Sequence, residues 1–275
     1  TTYVDSLHAD AAAALGAMIP SPSANPRFYV FNALSWPRTE AADLPYSGPG
    51  PVHVIDVGSN LEVPSQIVTV DGQQRLRILA SGVPSVGYKV YEVQPGAGSA
   101  FANAAVVSGS TIENGVYRVT LASNGAITSL VDKRLGNREF VRTIGSRTAN
   151  DLGAGLGTLT VENAGPVSVT LRANASGPLA HETRITLSAA DRVEIRNDIN
   201  QNFSSVQTWR YGFNIDAPVT HHEEVGAVVK AAYAADGGVY SRTGSRYDWL
   251  TLNHFVDLTA TAGNALGIAR GALDA

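Results

Sequence analysis

The sequence predicts a mainly β protein with a short N-terminal helix, a small antiparallel β-sandwich and then a large two-sheet β-sandwich. Three observations predict this class. Apolar residues recur at helical spacing only over residues 1–19. From residue 27 onward, short runs of β-branched and aromatic residues alternate with Gly, Pro and Asn-Gly turn formers. No helical pattern is interleaved between these runs, as a parallel sheet would require.

The N-terminal helix is predicted from an apolar stripe in an Ala-rich segment. Pro20 ends the helical pattern, and residues 21–26 are a linker of turn formers. A single helix has no surface of its own to cover this stripe, so we expect it to pack on helices outside this chain. The stripe repeats every three or four positions through Val4, Leu7, Ala11, Leu15 and Met18.

The small sandwich is assigned to residues 27–95, after a helix-and-linker region at residues 1–26. Short strands separated by Pro and Gly, one ending at the Asp71-Gly72 turn, are typical of an antiparallel sandwich. The predicted strands are residues 27–32, 52–57, 67–70, 75–80 and 88–93.

The large sandwich is assigned to residues 96–275, beginning at the Gly-rich segment around residue 96. Its strands are longer, and their antiparallel patterns indicate two packed sheets. We expect this sandwich to be truncated, because the sequence stops after an apolar run without a closing element. The predicted strands are residues 111–121, 126–132, 156–162, 167–173, 181–187, 192–199, 207–215, 224–232 and 249–258.

Composition excludes several classes of protein. The 275 residues carry 20 Lys and Arg against 24 Asp and Glu, a net charge of −4, which argues against nucleic acid as a partner. The absence of cysteine excludes disulfides, thiolate metal sites and cysteine nucleophiles. No apolar run reaches the roughly 20 residues that span a bilayer, so no membrane association is expected. Without cysteines or a signal sequence the cytoplasm is favoured, although the start at Thr1 indicates processing and is compatible with export.

Residues 221–224 (HHEE) are the densest group of metal-ligating side chains. On a strand, only His222 with Glu224, or His221 with Glu223, share a face. Such a pair supplies two metal ligands, and a third must come from elsewhere, for which the candidates are His181-Glu182, Asp248 and His254. The alternative is a polar strand start whose glutamates only favour solubility.

Residues 247–255 (YDWLTLNHF) combine aromatic rings with Asp, Asn and His. Aromatic faces stack on the C–H groups of a sugar ring, while carboxylates and amides bond its hydroxyls, so this mixture is typical of carbohydrate recognition. The alternative is a buried strand in which Trp249 and Phe255 belong to the core. Alternation along the strand does not separate the aromatic residues from the polar ones.

Six segments, in consistent order from about residue 27 to 260, resemble the glycoside hydrolase family 38 α-mannosidases, in the part after their catalytic domain. The first departs from the family pattern by Ala33 in place of Pro, and the last two are similar to bacterial members. These segments are residues 31–38 (FNALSWPR), 63–66 (VPSQ), 83–88 (VPSVGY), 112–133 (beginning IENGVYRV), 222–227 (HEEVGA) and 247–255 (YDWLTLNHF).

The resemblance implies a retaining hydrolysis whose carboxylate nucleophile and zinc ligands lie in an N-terminal α/β domain, ahead of a three-helix bundle. Residues 1–19 resemble the last helix of that bundle, so the resemblance places this chain after the catalytic residues. His221, His222 and Glu223 do not correspond to the family's zinc motif, which lies upstream. The large sandwich would have a fold like the galactose mutarotase supersandwich and would support the active site.

The leading hypothesis is therefore the β-sandwich portion of an α-mannosidase, not catalytic alone, with α-mannoside, the catalytic domain and the helical bundle as partners. It contains no catalytic residue, metal ligand or cofactor of its own, and zinc is expected in the catalytic domain. An exposed helix stripe and missing strands predict self-association. Two alternatives stay open: a stand-alone carbohydrate-binding or scaffold module, and a metal-dependent hydrolase centred on His222 and Glu224. The expected substrate contacts are His222, Glu224, Asp248, Trp249 and His254.

Overall fold

The computed structural model confirms the predicted fold class: one N-terminal helix is followed by antiparallel sheets, none of which closes into a barrel. The structure describes residues 2–22, 24–189, 191–199, 201–248, 254–259 and 265–269. The chain forms two compact units, residues 1–212 and residues 213–275. The domain boundaries drawn from the sequence stay a prediction.

Helix α1 spans Thr2–Ala17, and none of its described residues is buried. The apolar side chains of Val4, Leu7 and Met18 are largely exposed. The Tyr29 hydroxyl donates a hydrogen bond of 2.8 Å to the carbonyl of Ala12. The helix therefore presents the apolar stripe that the sequence predicts, and self-association stays a prediction. In the part of the chain that is described, no helix has the length and apolar character needed to cross a bilayer.

The first sandwich packs a four-stranded sheet, in the order β1-β7-β3-β4, on a three-stranded sheet, β2-β6-β5. Its core contains Val54, Leu76, Ile78 and the fully buried ring of Tyr91. Along β6 the buried residues Leu76 and Ile78 alternate with half-buried ones, so this sheet packs one face into the core. The strands are β1 (Arg27–Asn32), β2 (Arg38–Pro45), β3 (Val52–Asp56), β4 (Leu61–Val63), β5 (Ser65–Val70), β6 (Gln73–Val83) and β7 (Gly87–Pro95).

The second sandwich packs a five-stranded sheet, β12-β11-β10-β9-β8, on a four-stranded sheet, β13-β14-β15-β16. Ile112, Val119, Leu171 and Ile185 lie in its core. A short 3₁₀ turn, Lys133–Leu135, follows β11. The strands are β8 (Val106–Ser108), β9 (Thr111–Glu113), β10 (Tyr117–Leu121), β11 (Ile127–Asp132), β12 (Arg138–Glu139), β13 (Gly157–Ala164), β14 (Ser168–Ala175), β15 (His181–Ser188) and β16 (Val193–Ile199).

The side-chain amide of Gln66, on β5, joins the two sandwiches. Its Oε1 accepts hydrogen bonds from the backbone N–H groups of Val167, at 2.8 Å, and Ser168, at 3.0 Å. Its Nε2 donates to the Ser168 carbonyl at 3.1 Å. Arg77, on β6, adds a bond of 3.0 Å to the Ser168 hydroxyl and pairs with Asp43. This small polar junction fixes one edge of the first sandwich against the turn between β13 and β14.

The second unit is an antiparallel sheet in the order β18-β17-β19-β20. Its strands are β17 (Val219–Glu224), β18 (Ala227–Lys230), β19 (Phe255–Thr259) and β20 (Ala265–Ala269), and a 3₁₀ turn spans Ala234–Asp236. Val225 and Gly226 form the turn between β17 and β18, where the φ of +79° at Gly226 is readily adopted only by glycine.

Several predicted strands differ from those observed. The strand predicted over residues 111–121 is a hairpin, because the Asn114 carboxamide oxygen accepts from the backbone N–H groups of Val116 and Tyr117 and turns the chain. The strand predicted over residues 224–232 is interrupted by the turn at Gly226. Residues 207–215 make only isolated bridges, because their backbone partners lie in the irregular segment 142–151. The sequence did not predict β2, whose Ala and acidic residues have low β-propensity.

Replacing Gln66 with Ala should lower the free energy of unfolding by about 2–4 kcal/mol. The N–H groups of Val167 and Ser168 are buried, and each buried donor that loses its partner costs about 1–3 kcal/mol. Gln74→Ala, at an exposed position of β6, is the control and should change stability by no more than about 0.5 kcal/mol. Urea denaturation followed by circular dichroism measures both, and equal losses in the two variants would show that the junction contributes nothing.

The stabilisation that the Glu92 carboxylate provides should be lost in acid. Hydrogen bonds from Asn25, Arg27 and Gln94 lower its pKa from 4.5 to about 2. A lowered folded-state pKa gives stabilisation that is complete above pH 4.5 and is lost as the pH falls toward 2. The difference in Tm between wild type and Glu92→Gln should therefore shrink over this interval. Asp10→Asn, on the exposed helix, is the control for the charge change, and a pH-independent difference for Glu92→Gln would refute the assignment.

Candidate functional site

Strand β17 divides the residues of the HHEE segment between two faces of its sheet. The strand pairs with β18 on one side, where His222 lies opposite Val229, and with β19 on the other, where it lies opposite Val256. The side chains of His222 and Glu224 lie next to each other, whereas the side chain of Glu223 contacts His254. The alternation predicted from the sequence is therefore observed.

His222, Tyr240 and Glu224 form a hydrogen-bonded chain. The Tyr240 hydroxyl lies 2.7 Å from Nε2 of His222 and 3.0 Å from Oε1 of Glu224. The imidazole is fully buried and stacks on the phenol ring, with centroids 6.0 Å apart. Nearly half of the Glu224 side chain, 47%, remains exposed. The chain of contacts thus runs from a buried base to a carboxylate at the surface.

The carboxylate determines where the protons lie in this chain. An ionised Glu224 only accepts hydrogen bonds, so the Tyr240 hydroxyl must donate to it. The Tyr240 oxygen then accepts from Nε2–H of His222, and this fixes the imidazole as the Nε2-protonated tautomer. Nδ1 of His222 is buried without a hydrogen-bond partner among the described residues. Burial, and then the bond to Glu224 and its negative charge, raise the pKa of the Tyr240 phenol above its usual 10.

His254 does not join this cluster. Its Nδ1 lies 2.7 Å from Oε2 of Glu223, and the imidazole is mostly exposed. His181, which the sequence offered as a third metal ligand, is buried, with Nδ1 2.8 Å from the Leu179 carbonyl and its ring edge-on to Trp209. The histidines therefore occupy separate environments.

Asp248 lies on an exposed surface that we call the tyrosine patch, formed by Tyr233, Arg242, Arg246, Tyr247 and Asp248. The Arg246 guanidinium donates to both carboxylate oxygens of Asp248, at 2.9 and 2.7 Å, and lowers the pKa of this carboxyl group. The Tyr247 ring is 40% exposed and meets Tyr233 edge-on at 4.9 Å. An exposed ring beside a carboxylate suits a sugar. Trp249, also predicted as a contact, lies outside the described residues.

A metal ion does not fit the described side chains. Over the ranges that the structure describes, no group of three or more His, Asp or Glu residues is close enough to hold one. In the His222 cluster, Nε2 is engaged by Tyr240, and Nδ1 is buried 3.8 Å from the nearest carboxylate oxygen. The donor set therefore favours a hydrogen-bonded network.

Sequence reasoning missed Tyr240 and Tyr233. Tyr240 lies 18 residues after His222 in a segment without strand periodicity. A parallel bridge between Tyr233 and Tyr240 holds the segment, and the Ala234 N–H donates to the Tyr240 carbonyl at 2.8 Å. No pattern in the sequence marks this approach, because it depends on how the loop folds back beside β17.

Comparison with solved structures gives two neighbours from Enterococcus faecalis. One is an alpha-mannosidase from strain V583, with a TM-score of 0.58 and 12% sequence identity over 86% of this chain and 36% of its own. The other is a protein in glycosyl hydrolase family 38, with a TM-score of 0.55 and 13% identity over 86% of this chain and 37% of its own. This chain therefore has the fold of a part that makes up about a third of the length of each of those proteins. No protein-family model and no curated protein matches the sequence.

Replacing Glu224 with Gln should lower the pKa of Tyr240, because the nearby negative charge that disfavours the phenolate is removed. The change should be partial, since burial is the largest cause of the raised pKa and it remains. NMR titration of ¹³C-labelled tyrosine follows the Tyr240 Cζ signal, which Tyr240→Phe identifies. Glu223→Gln is the matched control on the other contact set, and an equal effect of both variants would contradict the hydrogen-bonded chain.

Proposed function

We propose that this chain is the β-sandwich region of a retaining α-mannosidase-type glycoside hydrolase, and that it supports a catalytic region lying elsewhere in the polypeptide. The similarity to two solved structures over 86% of this chain carries the proposal. The match spans only 36–37% of those proteins, so the activity is proposed for the complete polypeptide. The carboxylate nucleophile and the zinc ion that the family resemblance implies belong, in this proposal, to the catalytic region.

Within this proposal the tyrosine patch contacts the sugar. Tyr247 offers an exposed ring face, while Arg246 and Asp248 place donors and acceptors beside it. Glu224 is the second candidate contact, since its carboxylate is half-exposed. His222 is too deeply buried to touch a ligand, so its proposed role is to position Glu224 through Tyr240. His254 would act only as the partner of Glu223.

Hydrolysis should require the complete polypeptide. The polypeptide encoded by the full reading frame should release 4-nitrophenol from 4-nitrophenyl α-D-mannopyranoside. The 275-residue chain alone should not. No hydrolysis by the complete polypeptide would contradict the proposal. If the isolated chain then bound α-mannosides, the stand-alone carbohydrate-binding module would be correct. About one metal ion per isolated chain, with hydrolysis lost on His222→Ala, would instead favour the metal-dependent hydrolase.

In the complete polypeptide, Asp248→Asn should reduce kcat/KM for the mannoside roughly 10- to 100-fold, since one charge-assisted hydrogen bond contributes on the order of 1.5–3 kcal/mol. The loss should be mainly in KM if Asp248 contacts the substrate equally before and during the reaction. Asp10→Asn, an exposed aspartate of helix α1 outside the tyrosine patch, is the control for the charge change. Unchanged kinetics in Asp248→Asn would remove this residue from the substrate contacts.

A further inference from the structure

A polar cleft in the first compact unit lies between a tight turn and an irregular strand-like segment. It has a volume of about 430 Å³ and is lined by residues 144–147 and by Val206, Gln207, Thr208 and Arg210. The turn is closed by backbone hydrogen bonds in both directions between Ile144 and Arg147, and Gly145 takes a φ of +66°. The backbone of Arg210 pairs with that of Asp151. Both lips of the cleft are therefore held by main-chain bonds.

Two arginines cross between these lips. Nη1 of Arg147 donates to the Thr208 carbonyl at 2.9 Å, and Nη1 of Arg210 donates to the Ile144 carbonyl at 3.2 Å. Each guanidinium has five N–H donors, so one anchoring bond leaves most of them for another acceptor. The reciprocal anchoring also reduces the entropy that each side chain would lose on binding a ligand.

Neither of these guanidinium groups forms an ion pair in the described part of the chain. This contrasts with arginines such as Arg77, Arg184 and Arg196, which are paired with carboxylates. The carboxylate of Asp151, whose backbone pairs with that of Arg210, accepts from the backbone N–H groups of Thr148 and Gly153, both at 2.9 Å, and among the described residues forms no ion pair with either arginine. Two arginines without a directly paired carboxylate in the described ranges thus line one cleft of a chain whose net charge is −4.

We propose that this arginine cleft binds an oxyanion, a phosphate, sulfate or carboxylate group, between Arg147 and Arg210. Planar guanidinium groups match such anions through paired N–H···O bonds, which are stronger than neutral hydrogen bonds. Ser146 and Gln207 line the same cleft, and the Gln207 amide, which donates one N–H to the Ser205 hydroxyl, keeps a second donor. The anion is either a free inorganic ion or a charged group carried by a sugar. The site does not depend on the proposed glycosidase function.

The probe for this site is inorganic phosphate, added to the ¹⁵N-labelled chain and followed by NMR. Saturable shifts of the Gly145 and Ser146 amide signals are expected, and sodium chloride at the same ionic strength should not reproduce them. Arg147→Gln and Arg210→Gln should each weaken phosphate binding about tenfold, through loss of one charge-assisted pair. Arg118→Gln, an exposed arginine on β10, is the matched control and should leave the affinity unchanged.

The source of the anion and the integrity of the fold need separate measurements. Mannose 6-phosphate binding more tightly than phosphate, with no response to mannose, identifies a sugar-borne group, whereas equal affinities identify the free ion. Each arginine also anchors a lip of the cleft, so circular dichroism checks that every variant is folded. Arg147→Lys and Arg210→Lys test whether a positive charge without the planar guanidinium is enough to bind phosphate. An absence of saturable phosphate shifts in the wild-type chain would overturn the proposal, as would equal weakening by Arg118→Gln.

Discussion

The placement of the two sandwiches against each other depends on a polar junction centred on the side-chain amide of Gln66, to which Arg77 adds a bond. Backbone N–H groups at the start of β14 have no strand partner, and burial would make them costly without the Gln66 oxygen. Around this amide, ion pairs of Arg192 with Glu40 and of Arg196 with Asp71 connect the same two sandwiches at the surface. Surface pairs of this kind contribute at most about 1 kcal/mol each, so the half-buried Gln66 amide, which satisfies buried backbone groups of Val167 and Ser168, contributes more.

A second constraint, the alternation of side chains along a strand, determines which residues of the second unit act together. On β17 it directs His222 and Glu224 to Tyr240, and Glu223 to His254. Three of the four adjacent residues that resemble a metal-binding cluster in the sequence therefore belong to two separate hydrogen-bonded groups, His222 and Glu224 with Tyr240, and Glu223 with His254. Because a metal ion needs several ligands converging from one side, this separation disfavours the metal site more strongly than the identity of any one residue.

The sequence predicts the parts of the fold that depend on local patterns. Strands β1, β15 and β16 follow directly from alternation and β-branched residues, and helix α1 follows from apolar spacing. Strand β2 is not predictable in this way, because its Ala-rich, acidic sequence becomes a strand only by pairing with β6. The site is less predictable for the same reason. His222 and Glu224 are identifiable by type and spacing, whereas Tyr240 reaches them only through a long-range fold of the loop. The arginine cleft likewise joins residues more than 50 positions apart, which no local pattern reports.

The exposure of each group limits what the His222 cluster can do chemically. A general base or a sugar contact must reach the ligand within hydrogen-bond distance, and a fully buried imidazole does not. Glu224 does reach solvent, and its carboxylate orientation is set by the Tyr240 hydroxyl. The buried His222 donates its Nε2–H to the Tyr240 oxygen. The Tyr240 O–H therefore points to Glu224. The cluster therefore acts as a support that orients one partly exposed carboxylate.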